Sequence, residues 1–190
     1  MENKLLKNKE FLNILKKIKL KKLVYGIGHD KAGYSCDLYI GNTMIAYIND
    51  DGRGGEIEIY YENEKAKQLI KEFLEKHDIK TLMFENGWEF IKDKEKIDRT
   101  SQIAIIVEEL INLKEDEKYK KKIKKHTENG IVYGNDNGFK VTVFRIKLKE
   151  MVLIKDGMMF LQKKYDEIKA NLKDNEKILN ENLEELGIKL

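Results

Sequence analysis

The sequence predicts an α+β protein in which an antiparallel β-meander is packed by helices. Residues 23–61 are rich in β-branched and aromatic side chains and are interrupted by the turn-forming segments HDKAG, GN and DDGRGG, a pattern typical of short antiparallel strands. The flanking segments repeat apolar residues every three or four positions, which is the period of an amphipathic helix. These two patterns together favour helices that cover one face of a sheet.

The N-terminal half begins with a predicted helix and continues with the meander. An amphipathic helix is expected over 3–20, with lysines on its outer side and one apolar stripe formed by Phe11, Ile14, Leu15 and Ile18. Four strands follow, at about 23–28, 34–40, 43–48 and 56–61. The pair Gly41-Asn42 predicts a two-residue hairpin turn, because such turns need residues that tolerate positive φ.

Two helices and a hairpin come next. Their apolar stripes are formed by Ala66, Leu69, Ile70, Phe73 and Leu74 in the first helix and by Ile103, Ile106, Val107, Leu110 and Ile111 in the second. Between them, TLMFE at 81–85 predicts a short strand. The IVY segment at 131–133, the NDNG turn and KVTVFRIK at 140–147 predict a further hairpin.

A heptad-like apolar series predicts a long C-terminal helix, or a helical hairpin if KDNEK at 173–177 is a break. This candidate helical seam consists of Leu161, Tyr165, Ile168, Leu172, Leu179 and Leu186. The seam either packs on its own domain or binds a partner, with Asn175 and Asn182 setting the register. We therefore expect one α+β domain over 1–150 and a helical extension over 151–190, and the sequence leaves the oligomeric state open.

Composition narrows the class of protein. With 190 residues and 41% hydrophobic residues, the chain has the size and core of one compact domain. Cys36 is the single cysteine, so an internal disulfide is excluded, and no apolar run approaches the ~20 residues that cross a bilayer. We expect a cytoplasmic protein without membrane contact. Basic and acidic residues are nearly balanced, with a net charge of +3, so the charge alone does not indicate binding to nucleic acid.

The first candidate binding site is the glycine-rich loop after the third strand, formed by Asp50, Asp51, Gly52, Arg53, Gly54 and Gly55. Glycines let the backbone approach a ligand closely, and an arginine can fork onto a phosphate or carboxylate. The alternative is a plain turn or bulge with a solvated arginine, since Gly and Asp dominate turns.

The second candidate is the basic stretch KYKKKIKKH, in which Tyr119 and Ile123 are surrounded by Lys118, Lys120, Lys121, Lys122, Lys124 and Lys125. With the lysines of the first helix, this stretch could follow a phosphate backbone. The acidic residues at 115–117 and Glu128 dilute the field, so a solvated helix face is the alternative.

No motif indicates an enzyme, a metal site or a cofactor. A hydrolase is kept as an alternative that would use His29 and Asp30 with the Asp50–Gly55 loop, and a small-ligand sponge is a second use of the same loop. The histidines show no HxxxH or HxH spacing, so no metal ligands are expected.

The segment YSCDLYIGNTMIAYINDDGRGG resembles a group of small bacteriophage and mobile-element proteins, in which two strands lead into an acidic or asparagine turn and then G-R-G-G. A weaker likeness extends over roughly residues 23–147. The resemblance implies an accessory role in a mobile element and carries over no catalytic residue. Proteins of that origin often inhibit host defence by occupying a surface of a nuclease complex or by sequestering a nucleotide signal.

The sequence therefore favours a non-catalytic binding protein of phage or mobile-element origin. Its most concrete form is an anti-CRISPR-like inhibitor that binds a nucleic-acid-guided nuclease, so a protein partner is expected. The alternatives are direct nucleic-acid binding through the lysine-rich surfaces, and the sponge or hydrolase described above.

Overall fold

The computed structural model describes residues 5–26, 33–86 and 93–190, and it confirms the α+β class. The chain forms two compact units, Met1–Leu113 and Lys114–Leu190. The expected division at 150 groups the hairpin near residues 130–147 with the N-terminal part, whereas the contacts group it with the C-terminal residues.

The first unit contains a four-stranded antiparallel sheet in the order β1-β2-β3-β4, which is the predicted meander. Its strands are β1 (Ile18–Tyr25), β2 (Tyr34–Ile40), β3 (Thr43–Asp50) and β4 (Glu58–Tyr61). The predicted strands at 34–40 and 43–48 match β2 and β3 closely, and β1 begins earlier than predicted. The last two positions of the predicted first strand lie outside the described residues.

The hairpin between β2 and β3 turns at Gly41-Asn42, as predicted. Ile40 pairs with Thr43, and Gly41 has a φ of 59°, the left-handed conformation that such a turn requires. Beyond Tyr39 the register shifts by one residue at Ile45, which places Cys36 opposite Ile48 and Leu38 opposite Ala46. All four of these side chains are buried, so they lie on the inner face of the sheet.

Helices cover this inner face. They are α1 (Lys9–Leu15), α2 (Glu64–Lys76), α3 (Ile79–Glu85) and α4 (Arg99–Thr127). α1 contacts β1, and α2 contacts β3 and β4. Ile70 of α2 and Ile103 of α4 are fully buried in the same apolar cluster as the inner face of the sheet. The two helical stripes predicted from the sequence are thus confirmed as core.

The predicted N-terminal helix over 3–20 is wrong in its extent. The helix α1 begins after Asn8, whose side-chain oxygen accepts hydrogen bonds from the backbone N–H groups of Glu10 and Phe11, at 2.9 and 3.0 Å. It ends at Leu15, and Ile18 already pairs with Ile40 of β2. The alternation of buried and exposed side chains from residue 18 onwards is the period of a strand, and pairing with β2 decides in its favour.

The strand predicted at TLMFE is also wrong, because these residues belong to the helix α3. Asp78 caps this helix by accepting a hydrogen bond from the Thr81 N–H. Ile79, Leu82 and Met83 are buried, and their spacing of three and four positions is helical. A short apolar run is compatible with either structure, and here the cap selects the helix.

The second unit contains a three-stranded sheet in the order β6-β5-β7. Its elements are the end of α4 together with β5 (Gly130–Asn135), β6 (Gly138–Val143), α5 (Leu148–Met151), α6 (Gly157–Ala170) and β7 (Lys177–Ile178). β5 and β6 form the predicted hairpin, in which Asn135 pairs with Gly138. Ile131, Leu148 and Leu161 are fully buried in the core of this unit.

The C-terminal region is neither one long helix nor a helical hairpin. The helix α6 ends at Ala170, where the Asn171 side chain donates a hydrogen bond to the Glu167 carbonyl at 2.7 Å. KDNEK at 173–177 is a break, and its last residue begins the short strand β7, which pairs with β5 through Tyr133 and Ile178. The heptad spacing is real, but the open edge of β5 offers hydrogen bonds that a second helix would not satisfy.

Asparagine side chains extend this pairing beyond β7. Asn180 accepts a hydrogen bond from the Val132 N–H at 2.6 Å and donates one to the Gly130 carbonyl at 3.0 Å, so it serves both polar groups of the β5 edge. Asn182 donates to the Thr127 carbonyl at 3.1 Å. These contacts fix the C-terminal segment to the second unit.

Over residues 5–26, 33–86 and 93–190, no helix combines the length and apolar character that a bilayer span requires.

Gly33 is required by a close approach of two chain segments. A Cβ atom there would lie 2.5 Å from the Asp50 carbonyl oxygen. We expect Gly33→Ala to lower the free energy of unfolding by about 1–3 kcal/mol, because the backbone must move to admit the methyl group. Gly55→Ala is the matched control, since a Cβ at Gly55 meets open space. Chemical denaturation measures both, and equal stabilities would contradict the close approach.

Asn180→Ala tests the docking of the C-terminal segment. The substitution leaves the buried backbone groups of Val132 and Gly130 without their side-chain partner, so we expect a loss of about 1–3 kcal/mol in the free energy of unfolding. The exposed Asn175 is the control, and Asn175→Ala is expected to change stability by less than about 0.5 kcal/mol. Hydrogen exchange at the Val132 amide gives the local readout, and unchanged protection would contradict the interaction.

Candidate functional site

The outer face of the four-stranded sheet carries a row of polar and aromatic side chains, in which Asp37 is buried and the others are exposed. The strand register places Lys21 opposite Asp37, Asp37 opposite Tyr47, and Tyr47 opposite Tyr60, so the row crosses all four strands. Tyr47 is 40% exposed and Tyr60 is 56% exposed. We call this surface, together with Tyr39 and Glu58, the tyrosine face.

The rings of Tyr47 and Tyr60 are held in place by neighbouring side chains. The ring centroids of Tyr47 and Tyr60 lie 6.1 Å apart in a tilted arrangement, within the range of favourable aromatic pairs. The Tyr60 hydroxyl donates a hydrogen bond to Glu58 at 3.2 Å, and the Asn49 side chain donates to the same carboxylate oxygen at 2.9 Å. The bond to Glu58 raises the pKa of Tyr60, because it stabilises the protonated phenol.

The β1 side of the face is fixed by lysines. The Lys21 ammonium lies 3.9 Å from the centre of the Tyr39 ring, a cation–π contact. Lys22 has a φ of 48° at a bulge in β1, and its ammonium lies 2.9 Å from the Asp37 carboxylate. This bulge turns Lys22 onto the otherwise buried Asp37. Lysines and a bulge on an edge strand also oppose unwanted pairing with other sheets.

The tyrosine face combines the properties of a protein-binding surface. Tyrosine adds a large contact area for little side-chain entropy, since it has two rotatable bonds, and it is enriched among residues that dominate binding energy. The charges on the face are of both signs, with lysines towards β1 and Glu58 on β4. Such a mixture suits a protein partner better than a uniformly negative nucleic acid.

These tyrosines are not among the residues that the sequence pattern singles out. Tyr47 lies between the buried residues Ala46 and Ile48 of β3, but the neighbours of Tyr60 in β4 are only partly buried, so the alternation is a weak signal. Tyrosine is common in strands for packing reasons, and only the register shows that three of them share one exposed face.

The Asp50–Gly55 loop uses its own donors and acceptors internally. Asp50 is buried, and its carboxylate accepts a hydrogen bond from the Gly52 N–H at 2.8 Å. Asp51 accepts one from the Arg53 N–H at 2.9 Å and lies 3.8 Å from the Arg53 guanidinium. Two aspartates therefore occupy backbone N–H groups that a phosphate would need, and the loop fits the turn alternative.

A buried phenol lies at the same end of the sheet. Burial raises the pKa of Tyr34 far above its ordinary value, and the charges of Glu108 and Asp50 add to the shift, so this phenol stays protonated.

His29 and Asp30 of the hydrolase alternative lie outside the described residues. Within the described part of the chain, no group of three or more His, Cys, Asp or Glu residues is placed to hold a metal ion.

The lysines of the basic stretch all belong to α4 and are all exposed: Lys118, Lys120, Lys121, Lys122, Lys124 and Lys125.

The residues of the candidate helical seam do not lie on one helix. Leu161 and Tyr165 are buried in the second unit, Ile168 and Leu186 pack against the same core, and Leu179 lies beyond β7. The seam therefore follows the alternative in which it packs on its own unit.

The described residues thus define an α+β protein whose N-terminal unit exposes a pre-ordered tyrosine face. Comparisons with known protein families, with curated proteins and with solved structures found no match. The resemblance to mobile-element proteins stays a prediction.

The bond between Tyr60 and Glu58 makes a pH prediction. Glu58→Gln removes the negative charge that favours the protonated phenol, so we expect Tyr60 to ionise at lower pH than in the unmodified protein. NMR titration of the tyrosine ring carbons measures the change, with Tyr60→Phe used to assign the signal. The exposed Glu75 on α2 provides the control, and Glu75→Gln is expected to leave the pH at which Tyr60 ionises unchanged.

Proposed function

We propose that this chain is a non-catalytic binding protein of phage or mobile-element origin, which inhibits a bacterial defence system by docking its tyrosine face on a nucleic-acid-guided nuclease complex. The observation that carries the proposal is the exposed pair of Tyr47 and Tyr60 on the adjacent strands β3 and β4 of the outer sheet face. The origin rests on the resemblance of the segment at 34–55.

The pre-ordering of the face supports a binding role. Contacts with Glu58 and Lys21 hold the rings of Tyr60 and Tyr39 before any partner arrives. Side chains that are already ordered lose less conformational entropy on binding, so more of the contact energy remains as affinity. Aromatic anchors with charged side chains around them match the centre and rim of a protein interface.

The charge distribution supports a protein surface of the nuclease complex as the direct contact. Lys19 and Lys21 stand on one side of the tyrosines and Glu58 on the other. A partner with complementary charges would be oriented by this polarity, and a nucleic-acid strand would be repelled at the β4 side. Inhibition then follows from occupation of the surface and requires no chemical step.

The first experiment is a plaque assay. Bacteria that carry defined RNA-guided nuclease systems are challenged with a targeted phage while the chain is expressed. Inhibition restores plaques on at least one system, and the tagged nuclease then retains the chain after nucleic acid has been digested. Unrestored plaquing on every system, with no stable complex, would contradict the proposed function.

The double variant Tyr47→Ala/Tyr60→Ala tests the tyrosine face itself. We expect it to fold normally, because both rings are exposed, and to lower affinity for the nuclease complex at least ~30-fold, the effect of losing a binding residue worth about 2 kcal/mol. Phe84→Ala is the matched control, since Phe84 is an aromatic residue of α3 with 41% exposure. Unchanged inhibition by the double variant would place the inhibitory surface elsewhere.

A further inference from the structure

The C-terminal part of α4 separates its lysines into two groups. At 3.6 residues per turn, positions that differ by three, four and seven residues share one side of a helix. Four lysines follow this spacing and form the α4 stripe: Lys118, Lys121, Lys122 and Lys125. Lys120 and Lys124 lie on another side.

The side of this helix segment next to Lys122 is anchored in the second unit. The Tyr119 hydroxyl donates a hydrogen bond to the Asn135 carbonyl at 2.6 Å. The Phe139 ring contacts the rings of Tyr119 and His126, with centroids 5.6 and 5.8 Å apart. The helix is thus held against the β5-β6 hairpin, and the four lysines of the α4 stripe are exposed.

Like charges adjoin one another along the α4 stripe. Lys122 has Lys118 and Lys125 as helical neighbours, and like charges at such spacings repel. Glu115 and Glu117 lie one turn before Lys118 and Lys121 and offset part of this repulsion. The negative end of the helix favours cations within its last turn, which includes Lys125 but not Lys118 or Lys121.

We propose that the α4 stripe binds the phosphodiester backbone of nucleic acid without reading its sequence. The stripe extends over about 10 Å at 1.5 Å per residue, and a nucleic-acid strand presents a linear series of phosphates on that scale. Lysines contact phosphates as point charges, and the neighbouring Tyr119 is engaged with Asn135 and Phe139, so it offers no ring for a base to stack on.

A protein partner fits the α4 stripe less well. The centres of protein interfaces are apolar or aromatic and are depleted in lysine, whereas the stripe consists of ammonium groups. Counterions released from a polyanion by four such groups supply binding energy without an apolar centre. The inference is independent of the tyrosine face and of any nuclease complex.

The test uses the purified full chain and a short fluorescein-labelled DNA duplex of arbitrary sequence, with fluorescence anisotropy as the readout. Four phosphate contacts predict that the affinity falls on the order of 100-fold between about 50 and 200 mM salt. The variant with Lys118, Lys121, Lys122 and Lys125 each changed to Gln is expected to lose this binding and its salt dependence. Circular dichroism verifies that the variant keeps its helices.

The matched control removes four positive charges elsewhere in the same unit, by changing Lys149, Lys155, Lys163 and Lys189 to Gln; all four are exposed. Retention of most of the affinity by this control supports the α4 stripe. Equal loss in both variants would show that net charge alone drives binding and would overturn the inference. Binding of polyglutamate as tight as that of the duplex would also overturn it, since the site would then fit an acidic polypeptide.

Discussion

The hairpin at Gly41-Asn42 is the constraint on which the N-terminal unit depends. The two-residue turn pairs Ile40 with Thr43, and a one-residue shift at Ile45 sets the register of β2 and β3 beyond it. A slip by one residue would move Cys36 and Leu38 to solvent and bury Tyr39. The turn and the shift together therefore fix both the apolar inner face, on which the helices pack, and the tyrosine face on the outside.

The two candidate surfaces differ in how charge is distributed, and this difference separates their partners. The tyrosine face has aromatic rings between charges of opposite sign. A partner bound there would gain affinity from the buried contact area of the rings, and the charges would orient it. The α4 stripe has one sign of charge and no exposed aromatic ring in its path, so its energy comes from counterion release.

Much of the fold could be predicted from the sequence where a local pattern and the tertiary contacts agree. The stripe around Ile70 and the turns at Gly41-Asn42 and NDNG are such cases. Prediction failed where a distant segment decided the outcome. Residues 18–20 satisfy both a helical stripe and a strand alternation, and only pairing with β2 distinguishes them. The residues after Ala170 keep a heptad spacing, yet they form hydrogen bonds with the edge of β5 instead of a second helix.

The candidate site was harder to predict for the same reason. Glycine-rich and lysine-rich runs are visible in the linear sequence, and both were found. The tyrosine face is built from single residues on separate strands, and their meeting depends on register, which the sequence shows only after the fold is known. In the Asp50–Gly55 loop, the aspartates that make the turn also occupy its N–H groups.

The pairing of Tyr133 with Ile178 has a consequence for how the second unit assembles. β2 and β3 are separated by a two-residue turn, whereas the partner of β5 is a strand that lies far along the chain, beyond α5 and α6. Loop-closure entropy disfavours early pairing over such a separation, so we expect α4 and the β5-β6 hairpin to form before it. Until the last segment docks, β5 has an unpaired edge that another chain can join. Asn180, with its two bonds to that edge, ends this exposure.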